Sequence, residues 1–214
     1  MELNRKEIYR YLGYKGKTPD ETIAQAVESA VSELTRVMKP KAVSRPIRIT
    51  RPEENTVCLD NIVVHSKSLY QHLDTCAEGV LFAATLGAQV DLLIHRYNVL
   101  DMSKAVIFQA CAAEAIEAFC DQEQDAIEQE AHSKGLYLRP RFSPGYGDFP
   151  LQYQRELLPL LDAQRRIGLT RTDSDMLVPE KSVTAVIGFT PVATSCHISR
   201  CMTCKAKNCP FRKD

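Results

Sequence analysis

The sequence carries no excess charge of either sign. Its 27 lysines and arginines balance 27 aspartates and glutamates, so no net field draws the chain toward nucleic acid or an anionic membrane. A signal-like start is also lacking, because MELNRKEIYR is charged where a secretory leader would be apolar. No apolar run is long enough for a bilayer; the most hydrophobic segment, 80–94, is interrupted by Gln89 and Asp91. There is no internal repeat and no low-complexity tract. The G-x-S-x-G, phosphate-loop, Rossmann and H-E-x-x-H motifs are all missing. These absences lead to the expectation of a cytoplasmic chain with no nucleic-acid or membrane partner. In a reducing compartment the eight cysteines read as thiols or metal ligands rather than disulfides.

What is present suits one well-cored domain with a small appendage. Of 214 residues, 44% are hydrophobic and 25% charged, the balance of an ordinary globular chain. Asn4 to Leu12 predicts a short helix with Asn4 as its cap. A second helix starts near Thr18-Pro19-Asp20-Glu21, with Thr18 capping and Pro19 in the first turn, and Pro40 ends it. Ile23, Val27, Val31 and Leu34 repeat along it at helical spacing.

Ala42 to Thr50 reads as a strand, with Val43, Ile47 and Ile49 on one face and Pro46 placing it at an edge. Thr56 to His65 is a second strand and Ser66 to Leu73 a helix. Gly79 to Leu86 is a nearly continuous apolar run, as in a strand buried on both faces. Helices follow over 88–97 and from about Asp101 to Ser133, the longest, stopped by Gly135. Leu136 to Phe142 reads as a strand, Tyr153 to Ile167 as a helix kinked at Pro159, and Ser182 to Phe189 as the last strand. The expectation is an α+β fold: a twisted, mostly antiparallel sheet with flanking helices over 1–190, then a cysteine-rich tail over 191–214.

The most informative stretch is Arg141-Phe142-Ser143-Pro144-Gly145-Tyr146-Gly147-Asp148-Phe149-Pro150. Pro144 and Gly145 occupy the central positions of a type II turn, a geometry that brings backbone close to a ligand and aims the following Tyr146. Arg141 offers a planar fork suited to a carboxylate. On composition alone this is a surface turn with a structural arginine and a packed tyrosine. Glu117 and Asp121 lie one turn apart on the long helix, where a solvated polar face and a ligand contact fit equally well.

The loop resembles the Arg-x-x-Pro-Gly-Tyr signature of the activation domain of cobalamin-dependent methionine synthase, in a version closer to its free-standing bacterial form. Phe82-Ala83-Ala84-Thr85-Leu86-Gly87 with Val90-Asp91 and Ile94 is similar to that family's central strand and helix entry. Asp101-Met102, Ala112-Ala113 and Ile116-Glu117-Ala118 are similar to its long helix. The resemblance implies binding of S-adenosylmethionine by Arg141, Ser143, Gly145 and Tyr146, with Tyr146 between methyl donor and corrinoid. It sets Glu117 near the sulfonium or amino group and Phe189 in the Gly-aromatic pair of the last strand. It implies support for reductive methylation of cob(II)alamin, with the cobalamin carried by a separate methionine synthase and an electron donor it does not identify. The chain would then be a component of that methyltransferase system, and its contribution would be positioning.

Cys196, Cys201, Cys204 and Cys209 are separated by four, two and four residues, and Pro210 follows the last. Four thiolates at this spacing suit a zinc ion or an iron–sulfur cluster. Free or redox-active thiols are the alternative. Cys58, Cys76, Cys111 and Cys120 are spread through predicted core elements and read as small buried residues. Two other classes stay open: a metal- or cluster-binding electron-transfer or scaffold protein, and a different S-adenosylmethionine-dependent methyltransferase.

Overall fold

The computed structural model describes residues 1–14 and 17–193. The tail cysteines, and with them the expected metal site at Cys196, Cys201, Cys204 and Cys209, lie outside the described residues. The architecture is α+β, built on a six-stranded sheet in the order β3-β2-β1-β4-β8-β5 with every neighbouring pair antiparallel. The strands are β1 (Lys41–Thr50), β2 (Thr56–Leu59), β3 (Ile62–His65), β4 (Glu78–Thr85), β5 (Tyr137–Leu138) and β8 (Ser182–Thr190). A separate two-stranded ribbon joins β6 (Thr170–Arg171) to β7 (Leu177–Val178).

Seven α-helices among the described residues cover the sheet: α1 (Arg5–Tyr11), α2 (Glu21–Val37), α3 (Lys67–His72), α4 (Ala88–Leu100), α5 (Met102–Ser133), α6 (Gln154–Leu160) and α7 (Ala163–Ile167). None is long and apolar enough to cross a membrane.

The central strand explains how two cores coexist. β4 is buried at every position but Glu78, and its side chains alternate between faces. Val80, Phe82 and Ala84 enter a core with α1, α2, α4 and α5, whereas Leu81 and Ala83 enter a second with β2, β3, α3, α6 and α7. Each Leu or Phe removed from water in these cores contributes about 1.5–3 kcal/mol.

Caps fix several helix starts. Asn4 accepts from the Lys6 N–H at 3.0 Å, Ser66 Oγ from the Leu69 N–H at 3.0 Å, and Asp101 from the Lys104 N–H at 3.1 Å.

Some expectations need correction. The cap of α2 is Asp20, which accepts from the Ile23 N–H at 2.9 Å, not Thr18; a carboxylate is as good a cap as a hydroxyl, and it lies next to the helix. The single strand over 56–65 is a hairpin. Leu59 pairs with Ile62, and Asp60 takes a left-handed φ of 52° in the two-residue turn.

The strand over 136–142 shrinks to β5 and an isolated bridge at Phe142, because Pro140 has no N–H for a ladder. The helix over 153–167 breaks into α6 and α7 at Asp162, which is left-handed at φ 51°, while Pro159 sits inside α6. Pro46 lies where β1 has only β4 beside it, since β2 reaches just Ile49 and Thr50.

Candidate functional site

Arg141 leaves the sheet edge toward α5. Its Nη2 donates to Glu117 Oε2 at 3.0 Å and Asp121 Oδ1 at 2.8 Å, and its Nη1 donates to Gln124 Oε1 at 3.1 Å. Residues 117, 121 and 124 recur at helical spacing, so one face of α5 presents all three. The carboxylates stay wet, at 45% and 55% side-chain exposure, while Arg141 is at 16% and Gln124 is buried. Burial opposes the charge on Arg141, but Cys120 and Asp121 outweigh it and hold the guanidinium above its ordinary range.

The next residue points the other way. The Phe142 N–H donates to the Val186 carbonyl at 3.0 Å and the Val186 N–H returns the bond at 2.9 Å. Phe142 thereby anchors the loop in the second core, packing on Phe149 and, edge-on at 6.1 Å, on Tyr146. In the Ser143-Pro144-Gly145-Tyr146 turn the Tyr146 N–H donates to the Ser143 carbonyl at 3.1 Å, and Gly145 takes φ 94° as a type II turn requires. The Gly145 N–H is bound by the Phe149 carbonyl at 2.7 Å. Tyr146, 43% exposed, stands out from this rigid support. Beside it lies a cleft of about 260 Å³ lined by Ser143, Pro144, Tyr146, Leu151, Met176 and Thr184.

The loop is stitched to α3 by a residue the sequence reading passed over. Asp148 Oδ1 accepts from Ser66 Oγ at 2.6 Å and the Ser68 N–H at 2.9 Å, and Oδ2 accepts from the Lys67 N–H at 2.9 Å. The signal was available as Gly147-Asp148 following a Pro-Gly turn, but its target lies 80 residues earlier. Gly147 permits the approach, since a Cβ there would sit 2.5 Å from Ser68 Oγ.

These bonds, led by Ser66 Oγ, hold the Asp148 carboxyl well below its ordinary range. A depressed folded pKa stabilises the fold above the ordinary carboxylate pKa and loses that contribution as pH falls. The acid limb of the melting-temperature profile below about pH 4 should therefore be shallower in Asp148→Ala than in wild type. Parallel profiles would show that the cap does not contribute.

The residues singled out from sequence therefore divide. Arg141 and Glu117 touch, Ser143, Gly145 and Tyr146 share the turn, and Phe189 lies in the helix-side core at 3% exposure with Lys134 Nζ 5.8 Å from its ring centroid. Cys76, Cys111 and Cys120 are buried, and Cys58 is partly so. Desolvation pushes the Cys111 and Cys120 thiols up to about 12. No group of three metal-ligating side chains occurs among the described residues.

An α+β domain of this topology occurs in a solved structure described as the MetH reactivation domain bound to AdoHcy. The two match at 16% identity and a TM-score of 0.63, over 91% of this chain and 79% of that one. The sequence family described as vitamin B12 dependent methionine synthase, activation domain, matches residues 44–213. The chain belongs to that family. Its match runs through the four tail cysteines. No curated protein matches the sequence.

Proposed function

We propose that this protein binds S-adenosylmethionine and presents it for reductive methylation of cob(II)alamin on a separate cobalamin-dependent methionine synthase. The observation that carries the reading is the Arg141 fork beside Glu117 and Asp121, one residue before a loop anchored at Phe142 and Asp148. An amino-acid zwitterion complements that arrangement. Its carboxylate takes the guanidinium, while Glu117 and Asp121 take its ammonium or the sulfonium. Ser143 and Gly145 supply close-approaching backbone, Phe189 backs the site from the core, and Tyr146 faces the corrinoid. The AdoHcy in the neighbour's site supports a ligand of this class.

The cobalamin supplies the redox and methyl-transfer chemistry, and this chain contributes the position of the donor. Acting in trans calls for a small, transient interface and for an electron donor. Among the described residues the sheet is antiparallel throughout and has no parallel crossover at which a doubly wound methyltransferase would hold its nucleotide. Calorimetric titration with S-adenosylmethionine tests binding. Rescue of an inactivated methionine synthase lacking its own activation domain tests the role, and no rescue despite binding would reject the trans reading.

The boundary near 190 and the tail carry a further part of the proposal. Cys196, Cys201, Cys204 and Cys209 bind zinc or an iron–sulfur cluster, an arrangement supported by their spacing and by Pro210. Full-length protein purified without oxygen or chelators is expected to carry metal, and protein truncated after residue 193 to carry none while still binding S-adenosylmethionine. Metal-free full-length protein would reduce the tail to ordinary thiols. A reducible signal in electron paramagnetic resonance would favour electron transfer over a structural ion.

A further inference from the structure

The last strand has a gap in its ladder beside Tyr146. Phe142 and Val186 exchange both backbone bonds, at 3.0 and 2.9 Å, on the side of β8 turned away from β4. Residues two apart on a strand direct their N–H and C=O the same way. The Gly188 carbonyl accordingly accepts from Arg139 at 2.8 Å on that side, and the Ser182 N–H donates there to the Glu180 carbonyl at 2.9 Å. Thr184 lies between Ser182 and Val186, where β5 does not reach, since β5 pairs with Phe189 and Thr190. Among the described residues no partner meets the outward N–H and C=O of Thr184.

These two groups border the cleft of about 260 Å³, which Thr184 lines with Ser143, Pro144, Tyr146, Leu151 and Met176. The Thr184 side chain is already used, because Oγ1 and the Gln154 amide exchange bonds at 2.6 and 3.0 Å. Thr184 is 2% exposed, and a buried N–H and C=O without partners cost about as much as a lost hydrogen bond. The open stretch is one residue long, bounded by the Val186 bridge and the Ser182–Glu180 bond, so it cannot seat an added strand. What fits is a small planar group with a donor and an acceptor side by side. A primary carboxamide is such a group. Asp175 and Glu180 also line the cleft, which favours a neutral amide over a carboxylate.

We propose that the Thr184 backbone takes a primary carboxamide arm of the corrinoid on the partner protein, and that this contact sets the corrin face over Tyr146. The inference rests on the reading above, in which Tyr146 faces the corrinoid. The corrin ring of cobalamin is rimmed by short arms that end in primary carboxamides. At about 260 Å³ the cleft is smaller than the roughly 300–1,000 Å³ of a pocket that encloses a whole ligand. It therefore holds one arm while the ring stays outside, against the exposed Tyr146. Thr184 is a positioning residue, and it takes no part in methyl transfer itself.

The test compares Thr184→Pro with Thr184→Val. Both lose the pairing with Gln154, but only proline removes the N–H. Because that N–H points away from β4, proline leaves the β4 ladder intact. Each variant and the wild type is titrated calorimetrically with S-adenosylmethionine alone, and with methionine synthase lacking its own activation domain, in cobalamin-loaded and cobalamin-free forms. Thr184→Pro is expected to bind the loaded partner about fivefold more weakly than Thr184→Val, while the two bind S-adenosylmethionine alike. Equal affinities of the two variants for the loaded partner overturn the proposal and leave the methyl-donor reading standing. A loss of the same size toward loaded and empty partner means that the edge meets polypeptide, and also overturns it. Wild-type protein that binds S-adenosylmethionine but not the loaded partner overturns the proposal together with the trans reading. Wild-type protein that does not bind S-adenosylmethionine overturns the methyl-donor reading itself.

Should Thr184→Pro not fold, Met176→Trp decides. Met176 lines the cleft and is 54% exposed, so a larger ring there occupies the cleft without entering the core. Binding of the loaded partner weakened about tenfold supports the arm, since both of its bonds are lost. Unchanged binding overturns it.

Discussion

Replacing Arg141 by alanine is expected to weaken S-adenosylmethionine binding by about 1.5–3 kcal/mol, a factor of roughly 10 to 150, because a charge-assisted carboxylate contact is lost. The surroundings of Arg141 separate this effect from unfolding. Glu117 and Asp121 are half-exposed and rehydrate when the guanidinium leaves. Gln124 is 3% exposed and loses one partner, at a cost of about 1 kcal/mol in stability. The variant therefore remains folded while the ligand is lost. Arg141→Lys sharpens the test, since it keeps the charge but cannot span Gln124 and the two carboxylates with one planar group. Calorimetry on both variants is the measurement. A dissociation constant unchanged in the alanine variant removes Arg141 from the site.

Gly79→Ala is expected to be the most destabilising single-methyl substitution in the sheet. Gly79 and Gly188 face each other across β4 and β8. A Cβ on Gly79 would run into the backbone carbonyl oxygen of Ile187 and lie 3.0 Å from the Gly188 Cα. Neither atom belongs to a flexible side chain, so the central strand pair must separate. Overpacking of this kind costs about 3 kcal/mol. Gly135→Ala is the contrast: its Cβ meets nothing within 4 Å, and only its left-handed φ of 71° is strained, for about 1–2 kcal/mol. Urea denaturation of the two variants should show the larger loss at 79. Equal losses would mean that the β4–β8 contact tolerates a methyl group.

Local chemistry made much of the fold legible. The nearly continuous apolar run of β4, the Ser66 and Asp101 caps and the length of α5 are all written within a few residues of where they act. Contacts across long sequence separations were not. Asp148 serves α3 across a gap of 80 residues, and Glu114 receives Asn4 across 110; the turn before Asp148 marks the residue but not its target, and nothing near Glu114 marks it at all. The turn at Asp60-Asn61 was legible in principle. It was hidden because apolar residues flank it closely enough to pass for one strand. At the candidate site, the turn geometry of 143–146 follows from Pro144 and Gly145 alone. The engagement of Arg141 by Glu117, Asp121 and Gln124 needs the tertiary placement of α5 against the sheet edge.

The brevity of β5 also bears on how these molecules behave at high concentration. Beside β8 the outermost backbone consists of Tyr137 and Leu138, then the Arg139 N–H bound to the Gly188 carbonyl at 2.8 Å, then Pro140, then the lone bridge at Phe142. Among the described residues that border is a broken line with a proline in it rather than a continuous ladder of donors and acceptors. A strand from a second molecule finds no register to extend there. The segment that delivers Arg141 to α5 thus also blunts the sheet against edge-to-edge aggregation.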